Sequence, residues 1–288
     1  MEVDTLAPVW LPAELEDEIL SWAAIIVPSD ALSLTLVSRR VHNVINPLIY
    51  STVVLDSSAR HVVNLGRVQK FLRTLDMKPP AFFARTVKSL CVTCAVGPEI
   101  ATRVLAICSG VQHLACWVKF DDREAIVPFL HRMPLRSLNI ELGTFNTVLS
   151  PLCRARDDSV STPTSAPATD RQMAVSACSW PSTLKHLELV YWDTPPALAD
   201  LTALPALTQV NLFWGQDGPY PEAISTAIET CARLEILRVL VYDAVEDIDG
   251  RKSDLHKDTR VKRCVPASPA VKMWSNYLDG SGPGCWSP

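Results

Sequence analysis

One apolar pattern constrains this chain more than any other feature, because it returns at a nearly constant spacing. Apolar residues stand at relative positions 0, +3 and +5 in six segments between residues 87 and 239. The six triplets are Val87/Leu90/Val92, Val111/Leu114/Cys116, Leu135/Leu138/Ile140, Leu184/Leu187/Leu189, Leu207/Val210/Leu212 and Leu234/Leu237/Val239. Their middle residues lie 24, 24, 49, 23 and 27 positions apart, and the gap of 49 spans about two periods. Because a unit this short cannot bury its own core, the units must stack on their neighbours.

Helical patterns fill the intervals between these triplets. They cover residues 62–75, 98–110, 122–133 and 221–234, and the second and fourth begin with proline. Short strands that alternate with helices predict an α/β fold with a parallel sheet, and the period is typical of an irregular leucine-rich-repeat solenoid. A weaker copy of the triplet, Tyr50/Val53/Leu55, predicts a first strand at the start of the stack.

The N-terminal fifty residues follow a purely helical pattern. An apolar stripe at helical spacing runs from Leu11 to Trp22, and a second pattern covers residues 34–48, where Pro47 should end or kink the helix. The stretch 154–182 is polar, rich in Ser, Thr and Pro, and without periodicity, which predicts a flexible insertion. The predicted domains are a helical domain at 1–50, a solenoid at 51–242 and a C-terminal cap or tail at 243–288.

Composition excludes several classes of partner. Residues 1–50 hold seven acids against two arginines, a net −5, so the remainder of a chain with net charge −4 carries about +1. This is not the basic footprint of a nucleic-acid-binding protein. The first residues, MEVDTLAPVW, do not resemble a signal peptide, and no apolar run reaches the roughly 18 residues of a membrane span. Nine scattered cysteines favour free thiols in a reducing compartment, so we expect a cytoplasmic or nuclear protein without nucleic-acid or membrane partners.

The helical segment resembles an F-box. LPAELEDEIL at 11–20 precedes LSLTLVSRRVHNVINPLIY at 32–50, and together they match the Leu-Pro, acid, Ile-Leu and later Leu-Val-Ser-Arg pattern of that motif. The spacer between the two halves is a few residues longer than the family usually has. The matching residues are Leu11, Pro12, Glu14, Leu15, Ile19, Leu20, Leu36, Val37, Ser38 and Arg39. Residues 50–288 resemble the irregular leucine-rich repeats of F-box proteins abundant in mushroom-forming fungi.

The resemblance implies a function as substrate-recognition adaptor of an SCF-type (Skp1–cullin–F-box) ubiquitin ligase, and not as an enzyme. The F-box would bind a Skp1-like linker, and through it a cullin–RING ligase, while the repeats would hold an unknown protein substrate. The residues that the resemblance places at the linker interface are Leu11, Pro12, Leu15, Ile19, Leu20, Leu36 and Val37. The alternative is a leucine-rich-repeat interaction scaffold whose F-box-like segment no longer binds Skp1.

Strand geometry predicts which side chains face away from the apolar core. Side chains alternate along a strand, so positions +3 and +5 point into the core and positions +2, +4 and +6 point to the opposite face. On that face we expect Trp117 and Phe213 to be exposed anchors for the substrate. His186, Glu188 and Arg238 would set specificity. The alternatives are that the two aromatic residues pack against a neighbouring loop, or that the convex helices or the insertion bind the substrate.

Catalytic and metal-binding patterns are weak. Cys91-Val-Thr-Cys94 has CxxC spacing, but no second Cys/His pair or thioredoxin-like context accompanies it, which favours two ordinary cysteines. His113, His186, Glu141 and Glu188 could share one face of the sheet as a metal or acid–base site. A polar binding surface is the simpler interpretation, because no motif fixes their geometry. GxSxG, HExxH, P-loop and GxGxxG patterns are absent, so we expect no catalytic residues, no metal and no cofactor.

Overall fold

The chain divides into two compact units. The structure, a computed structural model, describes residues 11–56, 62–94, 96–118, 123–158, 180–191, 197–214, 221–241 and 258–264. The units are Met1–Thr52 and Val53–Pro288, and each has its own buried residues.

The N-terminal unit consists of three helices. They are α1 (Ala13–Ile26), α2 (Pro28–Leu34) and α3 (Arg39–Ile49). Ser38 caps α3, because its hydroxyl oxygen accepts a hydrogen bond from the backbone N–H of Val41 at 3.2 Å. α3 runs through Pro47 to Ile49, so the helix does not end at the proline.

The core of the N-terminal unit is small. Its buried members come from all three helices and are Ala24, Ala31, Val41 and Ile45. Partly buried side chains pack around them, namely Leu20, Leu34, Val44, Leu48 and Ile49. Two of the four buried residues are alanines, so this unit buries little apolar volume at its centre.

The C-terminal unit is built on an eight-stranded sheet whose strands follow one another in chain order. The strands are β1 (Thr52–Leu55), β2 (Ser89–Val92), β3 (His113–Cys116), β4 (Ser137–Glu141), β5 (His186–Tyr191), β6 (Gln209–Trp214), β7 (Ile236–Val241) and β8 (Val261–Cys264). All pairings from β2 to β8 are parallel. This confirms the α/β class and the parallel sheet, and it includes the first strand predicted from Tyr50/Val53/Leu55.

The strand register follows the apolar triplets. Their middle residues form one row across the sheet, which is Leu90, Leu114, Leu138, Leu187, Val210 and Leu237. Every residue at positions 0, +3 and +5 is at most 5% exposed. β4 and β5 pair directly, so the gap of 49 residues holds no additional strand between them.

Helices connect the strands. They are α4 (Val62–Met77), α5 (Pro80–Thr86), α6 (Pro98–Ile107), α7 (Val127–Arg132), α8 (Leu142–Asp158) and α9 (Pro221–Thr230). Short 3-10 helices lie at Arg123–Ile126, Trp180–Ser182 and Leu201–Ala203. Crossovers between parallel strands are right-handed in about 98% of cases, and crossovers of one hand between strands in sequential order place their connecting segments on one face of the sheet.

The predicted insertion at 154–182 is ordered at both ends. Residues 154–158 form the last turns of α8, and Trp180, in the following 3-10 helix, is fully buried. The prediction of a flexible insertion is wrong for those two parts, since one is helical and the other contains a buried tryptophan. Residues 159–179 lie outside the described residues, as do 243–257 and 265–288 of the predicted cap or tail.

Candidate functional site

An apolar stripe on α1 faces solvent. Leu15, Ile19, Trp22 and Ile26 are 47%, 55%, 58% and 70% exposed. Their spacing of four, three and four residues places them on one side of the helix, opposite the buried Ala24. α1 is therefore apolar on two sides, and packing within the unit uses only one of them.

The N-terminal unit exposes further large apolar side chains outside this stripe. Leu36 and Val37, between α2 and α3, are 86% and 69% exposed, and Leu32 of α2 is 65% exposed. We call the whole set the apolar surface, and it comprises Leu11, Leu15, Ile19, Trp22, Ile25, Ile26, Val27, Leu32, Leu36 and Val37. Among the described residues of the C-terminal unit, the large exposed apolar side chain is that of Met77. Such concentration of exposed apolar side chains is typical of an interaction site.

The residues expected at a linker interface divide between this surface and the core. Leu11, Pro12, Leu15, Ile19, Leu36 and Val37 are all exposed. Leu20 is half-buried and packs against the Ala24/Ala31/Val41/Ile45 core, so its place at the interface stays a prediction. The sequence did not predict five of the exposed residues as interface residues, namely Trp22, Ile25, Ile26, Val27 and Leu32. Trp22 nevertheless continues the helical spacing of Leu11, Leu15 and Ile19.

Arg40 ties α3 to α1 beside the apolar surface. Its guanidinium donates hydrogen bonds to the Glu16 and Asp17 carboxylates and to the carbonyl oxygen of Ala13, each at 2.6 Å. The hydrogen bond to Asp17 is the main cause that raises the pKa of Arg40 above its usual value. These contacts fix the pairing of the two helices and leave Glu14 and Glu18 exposed.

Trp117 and Phe213 are buried. They lie on the sheet face opposite the apolar triplets, as the alternation predicts, but they are only 5% and 4% exposed. Burial contradicts the expectation that they are exposed substrate anchors. The strand register predicted from the triplets is confirmed, since Phe213 pairs with Val190 and both residues lie at position +6. Their burial favours the alternative that these two aromatic residues pack against another part of the chain.

A buried hydrogen-bond network crosses this face. The indole Nε1 of Trp117 donates to Asn139 Oδ1 at 2.7 Å, and Asn139 Nδ2 donates to Glu188 Oε1 at 2.6 Å. Asn211 Nδ2 donates to the other Glu188 oxygen, Oε2, at 3.1 Å. Asn139, Glu188 and Asn211 occupy position +4 of three adjacent strands, β4, β5 and β6. Arg238 continues the row on β7 and is 8% exposed.

Sequence reasoning placed Glu188 in this row but assigned no role to Asn139 or Asn211. The sequence did contain a signal for these two asparagines, because residues at the same position of successive repeats become cross-strand neighbours in a parallel sheet. A carboxylate that is 3% exposed needs such donors, since a buried charge without them is strongly unfavourable. Glu188 is therefore a structural member of the sheet face and not an exposed specificity residue.

Two half-buried histidines occupy the neighbouring row at position +2. His113, Ser137 and His186 are paired across β3, β4 and β5. Burial lowers the pKa of His186 to about 4, with further lowering by the charges of His113, Lys185 and Arg238. Burial also lowers the pKa of His113, and the nearby charge of Arg136 adds to this effect. Both imidazoles are therefore neutral at pH 7.

The candidate cysteines and Glu141 have structural surroundings that differ from one another. Cys91 is buried, Cys94 is exposed and both are free. Burial raises the pKa of the Cys116 thiol to about 12, so it is not a nucleophile at neutral pH. Glu141 caps α8, because its carboxylate accepts hydrogen bonds from the backbone N–H groups of Gly143 and Thr144 at 2.9 and 2.7 Å. Among the described residues, no three His, Cys, Asp or Glu side chains are grouped as metal ligands.

Comparison of the chain with protein-family models and with curated proteins found no match. Within the described ranges, none of the helices combines the length and the apolar composition that crossing a membrane requires.

Proposed function

We propose that this protein is a substrate-recognition adaptor of an SCF-type ubiquitin ligase. In this proposal the N-terminal unit is an F-box that binds a Skp1-like linker, and the C-terminal unit is an irregular leucine-rich-repeat solenoid that holds a protein substrate. The observation that carries the proposal is the apolar surface of the N-terminal unit, where ten large apolar side chains remain exposed.

Two features support a protein partner for this surface. Exposing an apolar side chain instead of burying it costs about 1.5–3 kcal/mol, so ten such residues on one small unit favour association strongly. The exposed residues also coincide with F-box motif positions, because Leu11, Leu15 and Ile19 belong to both sets. A unit of three helices with a small core gains stability when a partner covers this surface.

The proposed mechanism is proximity without chemistry by this chain. The adaptor holds the substrate near the ligase, which raises the effective concentration of its lysines at the charged ubiquitin-conjugating enzyme. The CxxC cysteines take no part in this mechanism. Because Trp117 and Phe213 are buried, the substrate surface in this proposal includes other parts of the C-terminal unit.

The test is binding of a purified Skp1 homologue to the full chain. Replacing Ile19 and Trp22 by serine should weaken binding at least about tenfold, because two anchors are lost at the centre of the stripe. The matched control is Met77→Ser, which also removes an exposed apolar side chain but lies in α4 of the C-terminal unit. Circular dichroism should show unchanged helix content in both variants, since all three side chains are exposed.

Two outcomes contradict the adaptor proposal. One is an absence of Skp1 binding by the unmodified protein, which favours the alternative of a repeat scaffold whose F-box-like segment has lost the linker. The other is binding that the double variant and the Met77→Ser control retain equally.

A further inference from the structure

The edge of the sheet at which the strands begin, which we call the amino edge, carries a row of cationic side chains. Lys88, Arg136 and Lys185 immediately precede β2, β4 and β5. Backbone hydrogen bonds continue the strand pairing through this row, since the N–H of Lys185 donates to the carbonyl oxygen of Arg136 at 2.9 Å. Neighbouring strands lie about 4.8 Å apart, so the backbones of Arg136 and Lys185 are close neighbours.

The cations of this row lack acidic partners. Among the described residues, none of Lys88, Arg136 and Lys185 forms an ion pair with a carboxylate. Arg85 and Arg132 add charge nearby, in the last turns of α5 and α7, where the helix dipole favours cations. That cause does not explain the row itself, because its members lie outside the helices. Like charges opposite each other on neighbouring strands are destabilising, and an acidic partner would remove this repulsion.

Acidic residues between β2 and β5 lie toward the other edge of the sheet. Glu99, Glu124 and Glu141 stand at or after the carboxyl ends of β2, β3 and β4. The amino edge from β2 to β5 is therefore a cationic surface, and an acidic segment of a partner protein complements its charge.

A cavity continues the amino edge from β5 to β7. It is open to solvent, has a volume of about 480 Å³ and is lined by the segments that precede β5, β6 and β7. Its lining is mainly apolar and includes Leu201, Leu204, Pro205 and Ala206. Ser182, which stands three residues before Lys185, also lines the cavity and places it directly beside the cationic row.

The charges around the cavity differ from those of the row. Arg233 lines the cavity, but Asp200, Glu229 and Glu235 lie in the segments that surround it. The Asp200 carboxylate accepts a hydrogen bond from the backbone N–H of Thr202 at 2.8 Å. Three acids outweigh one arginine, so a carboxylate of a partner is not favoured here. An apolar side chain suits the apolar lining.

We infer that the amino edge binds an extended acidic segment of a partner protein, with carboxylates along Lys88, Arg136 and Lys185 and one apolar side chain in the cavity. From β2 to β7 this edge covers five strand spacings, about 24 Å, which is the length of about seven residues of extended chain. The cationic groups donate charge-assisted hydrogen bonds to the carboxylates. The inference rests on the proposed function only where it identifies this partner as the substrate.

Peptide binding to the full chain, followed by fluorescence anisotropy, tests the inference. The labelled probe has eight residues, five alternating glutamates and aspartates followed by Ser-Leu-Ser, and a second probe has the reverse order. We expect saturable binding of one probe, with an affinity that falls as the salt concentration rises. Replacing its acids by the corresponding amides, or its leucine by serine, should weaken binding at least about tenfold.

Variants of the protein locate the binding surface. Arg136→Gln with Lys185→Gln should weaken binding at least about tenfold, because two charge-assisted contacts are lost. The matched control, Lys70→Gln with Arg73→Gln, removes the same charge from the exposed surface of α4.

Filling the cavity tests the apolar anchor. Ala206→Phe should weaken binding of the leucine-containing probe, whereas Ala106→Phe adds the same side chain at an exposed position on α6 and should not. Circular dichroism and thermal unfolding verify that the variants are folded.

Three outcomes would overturn the inference. They are equal affinity of the charge variant and its control, equal affinity of the leucine and serine peptides, and tighter binding of single-stranded RNA than of either peptide. Skp1 binding by the same variants should equal that of the native chain. The peptide and Skp1 measurements can therefore fail independently, which separates this inference from the adaptor proposal.

Discussion

Single residues on the sheet face opposite the apolar triplets show how burial changes the role of a polar side chain. Glu188 has its two carboxylate oxygens occupied by two asparagine amides, and Asn139 is held in turn by the indole of Trp117. Each of these hydrogen bonds joins neighbouring strands, and a buried polar group that loses its partner costs about 1–3 kcal/mol. These residues therefore specify how β3, β4, β5 and β6 align.

His186 makes stability depend on pH. Its folded-state pKa of about 4 lies below the ordinary value of 6.5, so the unfolded chain binds more protons between these two pH values. Stability should therefore fall as the pH is lowered from 6.5 to 4. After discounting for partial exposure, we expect a loss of about 1–2 kcal/mol from this residue. Urea denaturation at a series of pH values measures it.

The variant His186→Gln should lose less stability than the native protein over the same pH range. Asn43→Gln, at an exposed position on α3, is the matched control and should retain the native slope, because neither side chain titrates. If the His186→Gln protein shows the full native slope, folding does not lower the pKa of His186.

Among the elements, α1 and α8 illustrate two different uses of a helix. α1 carries one apolar side toward the small core and a second toward solvent, so its packing leaves a surface for a partner. α8 follows β4 without a loop. Glu141 is the last residue of the strand, and its carboxylate caps the helix. Thr144 adds a further hydrogen bond to that carboxylate through its hydroxyl, at 2.7 Å.

Removing the cap should destabilise the junction between β4 and α8. Glu141→Ala leaves the N–H groups of Gly143 and Thr144 without their acceptor, which should lower the free energy of unfolding by about 1 kcal/mol. Glu235→Ala removes an exposed carboxylate near another strand and should change stability by less than about 0.5 kcal/mol. Urea midpoints compare the two, and equal effects would mean that the capping hydrogen bonds contribute nothing.

At the scale of the whole molecule, the two units differ in how much they bury. The N-terminal unit has four buried apolar residues among its three helices, two of them alanines. The C-terminal unit has complete apolar rows across its sheet, with every triplet position at most 5% exposed. Stability follows buried apolar area, so the two units should not unfold together.

Hydrogen exchange should therefore distinguish the units. Amides of α1, α2 and α3 should exchange through openings of lower free energy than the amides of β3, β4, β5 and β6. Exchange followed by mass spectrometry over increasing denaturant measures the difference. A single common free energy for both groups would show that the chain unfolds as one cooperative body.

Periodicity in the sequence determined the sheet. Because strand side chains alternate and each triplet marks one strand, the pattern sufficed to predict the cross-strand row from Leu90 to Leu237. The same spacing also placed Leu15, Ile19 and Trp22 on one helical stripe, since helical position depends only on local geometry.

Tertiary structure decided which of these side chains are covered. Alternation fixes the face to which Trp117 and Phe213 point, but their exposure depends on parts of the chain that are distant in sequence. Leu20 and Ile19 are adjacent in sequence, yet only Leu20 meets the core, because α2 and α3 cover one side of α1. Asn139 and Glu188 are 49 residues apart and become neighbours only when β4 pairs with β5. Burial and cross-strand contact are long-range properties, so only the folded chain determines them.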